Sequence, residues 1–241
     1  MTTYRIERAR DAQHLARIAA QTIASHLDLA LDQRDRAQLA LSGGSTPAVA
    51  YGLLGQEHLP WERVDVFLGD ERWVDGDDPS SNARMLRQSL LKEAPGSHAA
   101  FHPVPTVSLP TPEDSAAAFQ AAIEKVCPGE PPIFDLMVLG LGEDGHTASL
   151  FPGTEAPTIT DRWTAIGRGK GLERITLTAP VLSASRQVIF LVSGAGKSQA
   201  LARLLDPAES PQRTPAKLVT PRTEVLVLAD EAALEGVPAA G

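Results

Sequence analysis

The feature that most constrains this chain is a set of apolar runs that do not alternate with polar residues. QLALSGG (38–44), DVFLGDE (65–71), FDLMVLGLG (134–142), QVIFLVSG (187–194) and EVLVLAD (224–230) each read as a short strand ending at glycine or acidic residues. A strand that is apolar throughout must be covered on both faces, the usual condition of a parallel sheet. Helical patterns separate the runs. Residues 11 to 31 place Leu15, Ile18, Ala19, Ile23 and Leu27 on one face behind Asp11 as N-cap. Thr46-Pro47 reads as N-cap and first helical residue. SSNARMLRQSLLKEA (80–94) is amphipathic, Thr111-Pro112-Glu113 opens a helix to about Cys127, and AGKSQALARLL (195–205) follows the fourth run. Shorter strands are expected near 101–104, at 164–167 and at 174–178, and a short helix after residue 230. This alternation predicts an α/β fold: a mostly parallel, Rossmann-like sheet with helices on both faces. The chain has 241 residues, the Pro-rich stretch 206–216 is short, and no repeat is visible, so a single domain over 1–241 is expected.

Charge and cysteine content narrow the function classes. A net charge of -8 argues against a general nucleic-acid binder, and means that an anionic substrate needs a local positive site. The one cysteine, Cys127, ends a helical pattern and reads as a buried, inert thiol, with no partner for a disulfide inside the chain. No apolar leader and no run of membrane-spanning length is seen, so a soluble, cytoplasmic protein is expected.

Four chemically suggestive stretches all follow strands, where open α/β sheets bind their ligands. In SGGSTP (42–47), Gly43 and Gly44 let backbone N–H groups approach an anion, Ser45 and Thr46 add hydroxyls, and the stretch opens onto a helix N-terminus. SGAGKS (193–198) resembles the end of a Walker A loop, but Leu191 stands where the motif needs glycine, which rejects a nucleoside-triphosphate loop. Lys197 remains as a point charge for a phosphate. GDER (69–72) places Asp70, Glu71 and Arg72 at a strand end, suited to orienting a substrate or to forming a local ion pair. Gly140-Leu141-Gly142-Glu143-Asp144-Gly145 matches G-x-G-x-x-G, yet Phe151-Pro152-Gly153 breaks the chain where a dinucleotide fold needs a helix. These glycines instead bracket Asp144 and His146, two side chains competent in proton transfer. No second His or Cys lies at ligand spacing, so no metal site is expected.

At these residues the sequence strongly resembles the 6-phosphogluconolactonase family. SGGSTP (42–47), GDERWV (69–74), SSNARM (80–85), LGLGEDGHTASLFPG (139–153), RITLT (174–178) and SGAGKS (193–198) stand in the family's order, and the likeness runs from about residue 10 to 235. The resemblance implies a fold similar to glucosamine-6-phosphate deaminases and ribose-5-phosphate isomerases. It implies hydrolysis of 6-phosphoglucono-δ-lactone to 6-phosphogluconate, the second step of the oxidative pentose phosphate pathway, without cofactor or metal. It further implies that His146 is the general acid–base residue with Asp144 beside it, and that Asp70 lines the site. Gly43, Gly44, Ser45, Thr46 and Lys197 would meet the sugar phosphate, and Arg72 the substrate, while Asn82 and Arg174 match further motif positions. One departure is Asp75, where many members have proline.

The chemistry agrees with the loops. A δ-lactone is an activated ester, so its hydrolysis needs an activated water, a stabilised oxyanion and a proton for the leaving ring oxygen. No G-x-S-x-G elbow suggests an acyl-enzyme route. Two other readings remain open. Deaminases on this fold carry tyrosine after the Asp-Glu pair and Asn-Glu-Pro after the histidine loop, whereas here Arg72 follows Asp-Glu and Ser149-Leu150-Phe151-Pro152 follows the loop. A non-catalytic sugar-phosphate sensor would need an output module, and no basic recognition helix is found. The partner expected is a small sugar-phosphate lactone, with neither nucleic acid nor membrane, on a monomer or small homo-oligomer.

Overall fold

The computed structural model describes residues 2–237; residue 1 and residues 238–241 of the expected 1–241 domain lie outside the described residues. Seven strands form one sheet whose pairings are all parallel: β1 (Tyr4–Ala9), β2 (Ala37–Leu41), β3 (Val64–Leu68), β5 (Ala100–Phe101), β6 (Leu136–Gly140), β9 (Gln187–Val192) and β10 (Val225–Asp230). Their order across the sheet is β1-β10-β9-β6-β2-β3-β5. Every residue of β2, β3 and β10 is buried, so both faces are covered, as the unbroken apolar runs require. Three further strands make a small antiparallel sheet: β4 (Asp70–Arg72), β8 (Leu172–Leu177) and β7 (Thr164–Gly169).

The helices are α1 (Ala12–Gln33), α2 (Ser45–Leu54), α3 (Asn82–Gln88), α4 (Pro112–Val126), α5 (Ala179–Ala184), α6 (Ser198–Leu205) and α7 (Glu231–Leu234). Asp11 caps α1 by accepting from the His14 N–H, and Thr111 caps α4 by accepting from the Asp114 N–H, as the sequence predicts. Three local expectations are corrected. The second helix begins at Ser45 rather than Pro47, with Gly44 as N-cap at φ 126° and no side-chain cap. Thr46 is therefore inside the first turn, which tolerates Pro47 because N–H groups there have no helical partner. The expected 80–94 helix stops at Gln88, and Ser89 turns its hydroxyl back onto the Met85 carbonyl at 2.7 Å. The expected strand over 65–71 is two strands in different sheets. Gly69 is the pivot: its N–H donates to Leu41 O of the main sheet, and its carbonyl accepts from Leu177 N of the small one, both at 2.9 Å.

Candidate active site

The sheet order sets β9, β6, β2 and β3 side by side, so the loops at their carboxyl ends form one continuous edge. In that order they are 193–198, 141–147, 42–46 and 69–72. All four stretches singled out in the sequence therefore meet.

The central loop carries the histidine. After β6 the chain turns sharply over 142–146, where Gly142 N donates to His146 O at 2.8 Å and Gly145 adopts φ 90°. Among the described residues no α-helix stands between β6 and β7, which disposes of the dinucleotide reading. His146 Nδ1 lies 2.5 Å from Asp144 Oδ1, and the same oxygen accepts from the His146 backbone N–H at 3.1 Å. A side chain at 142 would collide with this pair, since a Cβ there would stand 2.0 Å from His146 Nδ1. The ring packs on Phe151, centroids 4.3 Å apart, leaving the histidine side chain 15% exposed. Burial lowers the His146 pKa below its usual value and outweighs the pull of Asp144 in the other direction. Asp144 is itself held below the ordinary carboxylate range: its hydrogen bonds to His146 overcome its partial burial. An ionised Asp144 facing Nδ1 fixes the proton on that nitrogen and leaves the Nε2 lone pair free.

The phosphate-loop candidates lie one strand over. Among the described residues, the backbone N–H groups of Gly43, Gly44, Ser45 and Thr46 have no hydrogen-bond acceptor, and neither do the two hydroxyls. They sit at the uncapped N-terminus of α2, an arrangement that favours an anion. Tyr51, fully buried, anchors the entry by donating to Ser42 O at 3.1 Å. Gly43 packs against Asn82 so closely that a Cβ would lie 1.9 Å from Asn82 Oδ1.

Asn82 ties this loop to the Asp-Glu-Arg stretch. Its Nδ2 donates to Asp70 O at 2.8 Å, and its Oδ1 accepts from Arg72 Nη1 at 2.6 Å. Arg72 Nη1 also donates to Ser80 O at 2.7 Å. Across the small sheet Arg72 pairs directly with Arg174, so two guanidinium groups are neighbours on one face. Arg174 is buried beside Asp70, with Nη1 3.7 Å from Asp70 Oδ2, and lies over the Phe151 ring at 5.4 Å. Its Nε has no partner among the described residues. Asp70 Oδ2 also accepts from Ser149 Oγ at 2.5 Å, which fastens the small sheet to the histidine loop.

Glu71 does something the sequence did not show. Fully buried, its carboxylate accepts from Arg72 N, Asn82 N, Ala83 N and Ser81 Oγ at 2.7–3.1 Å. It is the anchor for the start of α3, not a free acid or base. Burial pushes its carboxyl up, against these donors.

Lys197 stands at the start of α6; its backbone N–H donates to Gly194 O at 3.0 Å, while its ammonium makes no hydrogen bond or ion pair among the described residues. Its loop abuts the histidine loop, because a Cβ at Gly196 would meet Glu143 Oε1 at 3.0 Å. One lysine near the pair was missed. Lys170, at φ 53°, sits at the turn joining β7 to β8, and its charge acts on both Asp144 and His146. The Lys170-Gly171 dipeptide between two short strands is a hairpin signal, but nothing local says where the hairpin points. Among the described residues no three His, Cys, Asp or Glu side chains converge as a metal ligand set.

Comparison with known proteins settles the family. A model of glucosamine-6-phosphate isomerases/6-phosphogluconolactonase matches residues 10–228. The chain belongs to this family. It is similar to the 6-phosphogluconolactonase of Synechocystis, 41% identical over 93% of this chain and 95% of that protein. The rat 6-phosphogluconolactonase is 36% identical over 91% of this chain and 86% of that protein. Among solved structures, the 6-phosphogluconolactonase of Trypanosoma brucei superposes with a TM-score of 0.87 and 28% identity, covering 99% of this chain and all of that one. A monomeric glucosamine-6-phosphate deaminase shares the fold, with a TM-score of 0.79 at 20% identity. Within the family, the mostly parallel sheet read from the apolar runs is the shared architecture, and the small β4-β8-β7 sheet is what brings Arg72 and Arg174 to the histidine edge. No helix of the described residues is long and apolar enough to cross a membrane.

Proposed function

We propose that this protein hydrolyses 6-phospho-D-glucono-1,5-lactone to 6-phospho-D-gluconate, in the oxidative pentose phosphate pathway. The observation that carries the mechanism is an oriented His146, its pKa lowered by burial, on the same edge as a set of backbone N–H groups without acceptors. His146 Nε2 takes a proton from a water as that water adds to the lactone carbonyl carbon. Asp144, on Nδ1, and the nearby Asp70 stabilise the imidazolium that forms. The carbonyl oxygen gains negative charge, which the Arg72–Arg174 pair opposes. When the ring C–O bond breaks, the imidazolium returns its proton to the departing ring oxygen. Water has then been added across one bond, and the acid product ionises. The phosphate rests on Gly43, Gly44, Ser45 and Thr46 with Lys197 as a second contact, while Asn82 holds both loops in register. On this reading the protein works in the cytoplasm as a monomer or small homo-oligomer. The Arg after Asp-Glu favours the lactone over the deaminase reading, and a turnover assay with the lactone against glucosamine 6-phosphate separates them.

Two expected results test the binding groups. Lys197→Ala raises KM about tenfold, the scale of one charge-assisted hydrogen bond, and lowers kcat less, because a remote phosphate contact is mostly uniform binding. A phosphate ion found by crystal soaking away from residues 43–46 would count against that loop. Arg72→Lys keeps the charge but loses the planar fork that serves Ser80 O and Asn82 Oδ1 together while leaving Nη2 and Nε for substrate. Its kcat/KM falls by roughly tenfold or more; unchanged turnover would reduce Arg72 to a source of charge.

A further inference from the structure

A cavity opens at the opposite end of the main sheet from the histidine, where β2, β6 and β9 begin. It has a volume of about 820 Å³, within the range of small-molecule sites. Its walls come from the end of α1, residues 130–135, the end of α5 and residues 220–223. At its base lies Asp135, whose side chain is only 3% exposed. Asp135 Oδ2 accepts from Gln38 N at 2.9 Å, while Oδ1 faces Arg34 Nε at 2.8 Å and Arg186 Nε at 3.2 Å. Neither approach to Oδ1 is aligned as a hydrogen bond, so Oδ1 and Arg34 Nε are buried polar atoms without a proper partner. The carboxylate thus draws two guanidinium groups together by charge, on their Nε side. It leaves terminal Nη groups unspent: Arg34 Nη1 has a long contact to Gln33 at 3.2 Å, and those of Arg186 have none.

Arg222, also in the wall, makes no ion pair or hydrogen bond among the described residues. The charged and titratable groups facing the cavity are Arg34, Arg186, Arg222 and His26 against Asp135 and Glu130. This is a local excess of positive charge on a chain of net charge -8. Clustered arginine forks with free Nη donors match the oxygens of a phosphate. Ile133, Ala30 and Pro180 add an apolar wall beside them.

We propose that this cavity is a second ligand site, for a phosphorylated small molecule. Its phosphate lies between Arg186 and Arg222, and its body against Ile133 and Ala30. The inference does not depend on the lactonase reading, because the histidine edge lies at the other end of the same strands.

The test is a titration of the full chain with inorganic pyrophosphate, followed by backbone amide NMR. Shifts are expected in residues 130–135, 183–187 and 220–223, separately from any in 43–46 and 195–198. Arg222→Glu, on an exposed loop, leaves the fold and lactone turnover intact and weakens the first set at least tenfold, while the second set keeps its affinity. Arg186→Gln does the same if it folds. The proposal is overturned if pyrophosphate shifts only 43–46 and 195–198, or if Arg222→Glu binds it unchanged. It is overturned equally if sedimentation shows a dimer that Arg222→Glu dissociates, since the cavity is then a face between two copies.

Discussion

His146→Ala is expected to lower kcat by about 10²–10⁴-fold, the contribution of a positioned acid–base group. The geometry leaves few substitutes. Glu71 is spent on four donors, and Asp70 is buried with one oxygen taken by Ser149. The variant should fold, losing the ring contact with Phe151 and the side-chain hydrogen bond to Asp144. It should still bind 6-phosphogluconate, because residues 43–46 and Lys197 are untouched. The pH dependence is the sharper readout. Only neutral His146 accepts a proton, so kcat/KM rises with pH as the imidazolium is lost. The folded-state pKa is lowered by burial, so this limb lies to the acid side of the ordinary histidine value. The Ala variant should lack the limb once the spontaneous hydrolysis rate is subtracted at each pH. A variant that keeps both the limb and near-native kcat would transfer the role of base elsewhere, with Asp144 the nearest remaining group.

The second large effect is on stability. Glu71→Ala removes the acceptor for three backbone N–H groups and the Ser81 hydroxyl inside a fully buried corner. Leaving such donors unsatisfied costs roughly 3 kcal/mol or more. For a chain of this size that corresponds to a fall in Tm of about 6–12 °C. Activity should fall with it, because α3 begins with Asn82, which positions both Arg72 and Gly43. Glu71→Gln keeps only one acceptor and turns an NH₂ toward a donor, so it should recover little. A native melting temperature in Glu71→Ala would show that water replaces the carboxylate and that the corner is not dry.

How much of this was legible in the sequence follows from where each signal resides. The central strands β2, β3, β6, β9 and β10 announce themselves because burial on both faces demands unbroken apolar runs. The caps Asp11 and Thr111 are visible because they act on a residue three positions on. β1 was missed. It is an edge strand of alternating character, YRIERA, and only Ala9 of it is buried, so its pattern is weak and lies ahead of the first obvious helix. β4 was hidden because its three charged residues follow β3 directly across Gly69 and read as the polar end of the same strand, and only its pairing with β8 reveals a second sheet. At the edge, glycines flanking a histidine or hydroxyls survive as local spelling. The anchoring role of Glu71 and the approach of Lys170 are tertiary facts. Glu71's partners at 81–83 and the target of Lys170 at 144–146 are separated from them in sequence.

The Asn82 side chain has a consequence for how this chain can change. Its two amide atoms serve Asp70 O and Arg72, and its bulk fills the space where a Cβ at 43 would stand. Positions 43, 72 and 82 therefore form one epistatic unit. Alanine at 43 is tolerable only beside a smaller residue at 82, and a smaller residue at 82 strips Arg72 of one of its two acceptors. Single substitutions in this trio should each be harmful, and their combined cost should depart from the sum. The way out of this corner of sequence space is a coordinated exchange of all three, which makes the junction of the two sheets slow to diverge even where neighbouring positions drift.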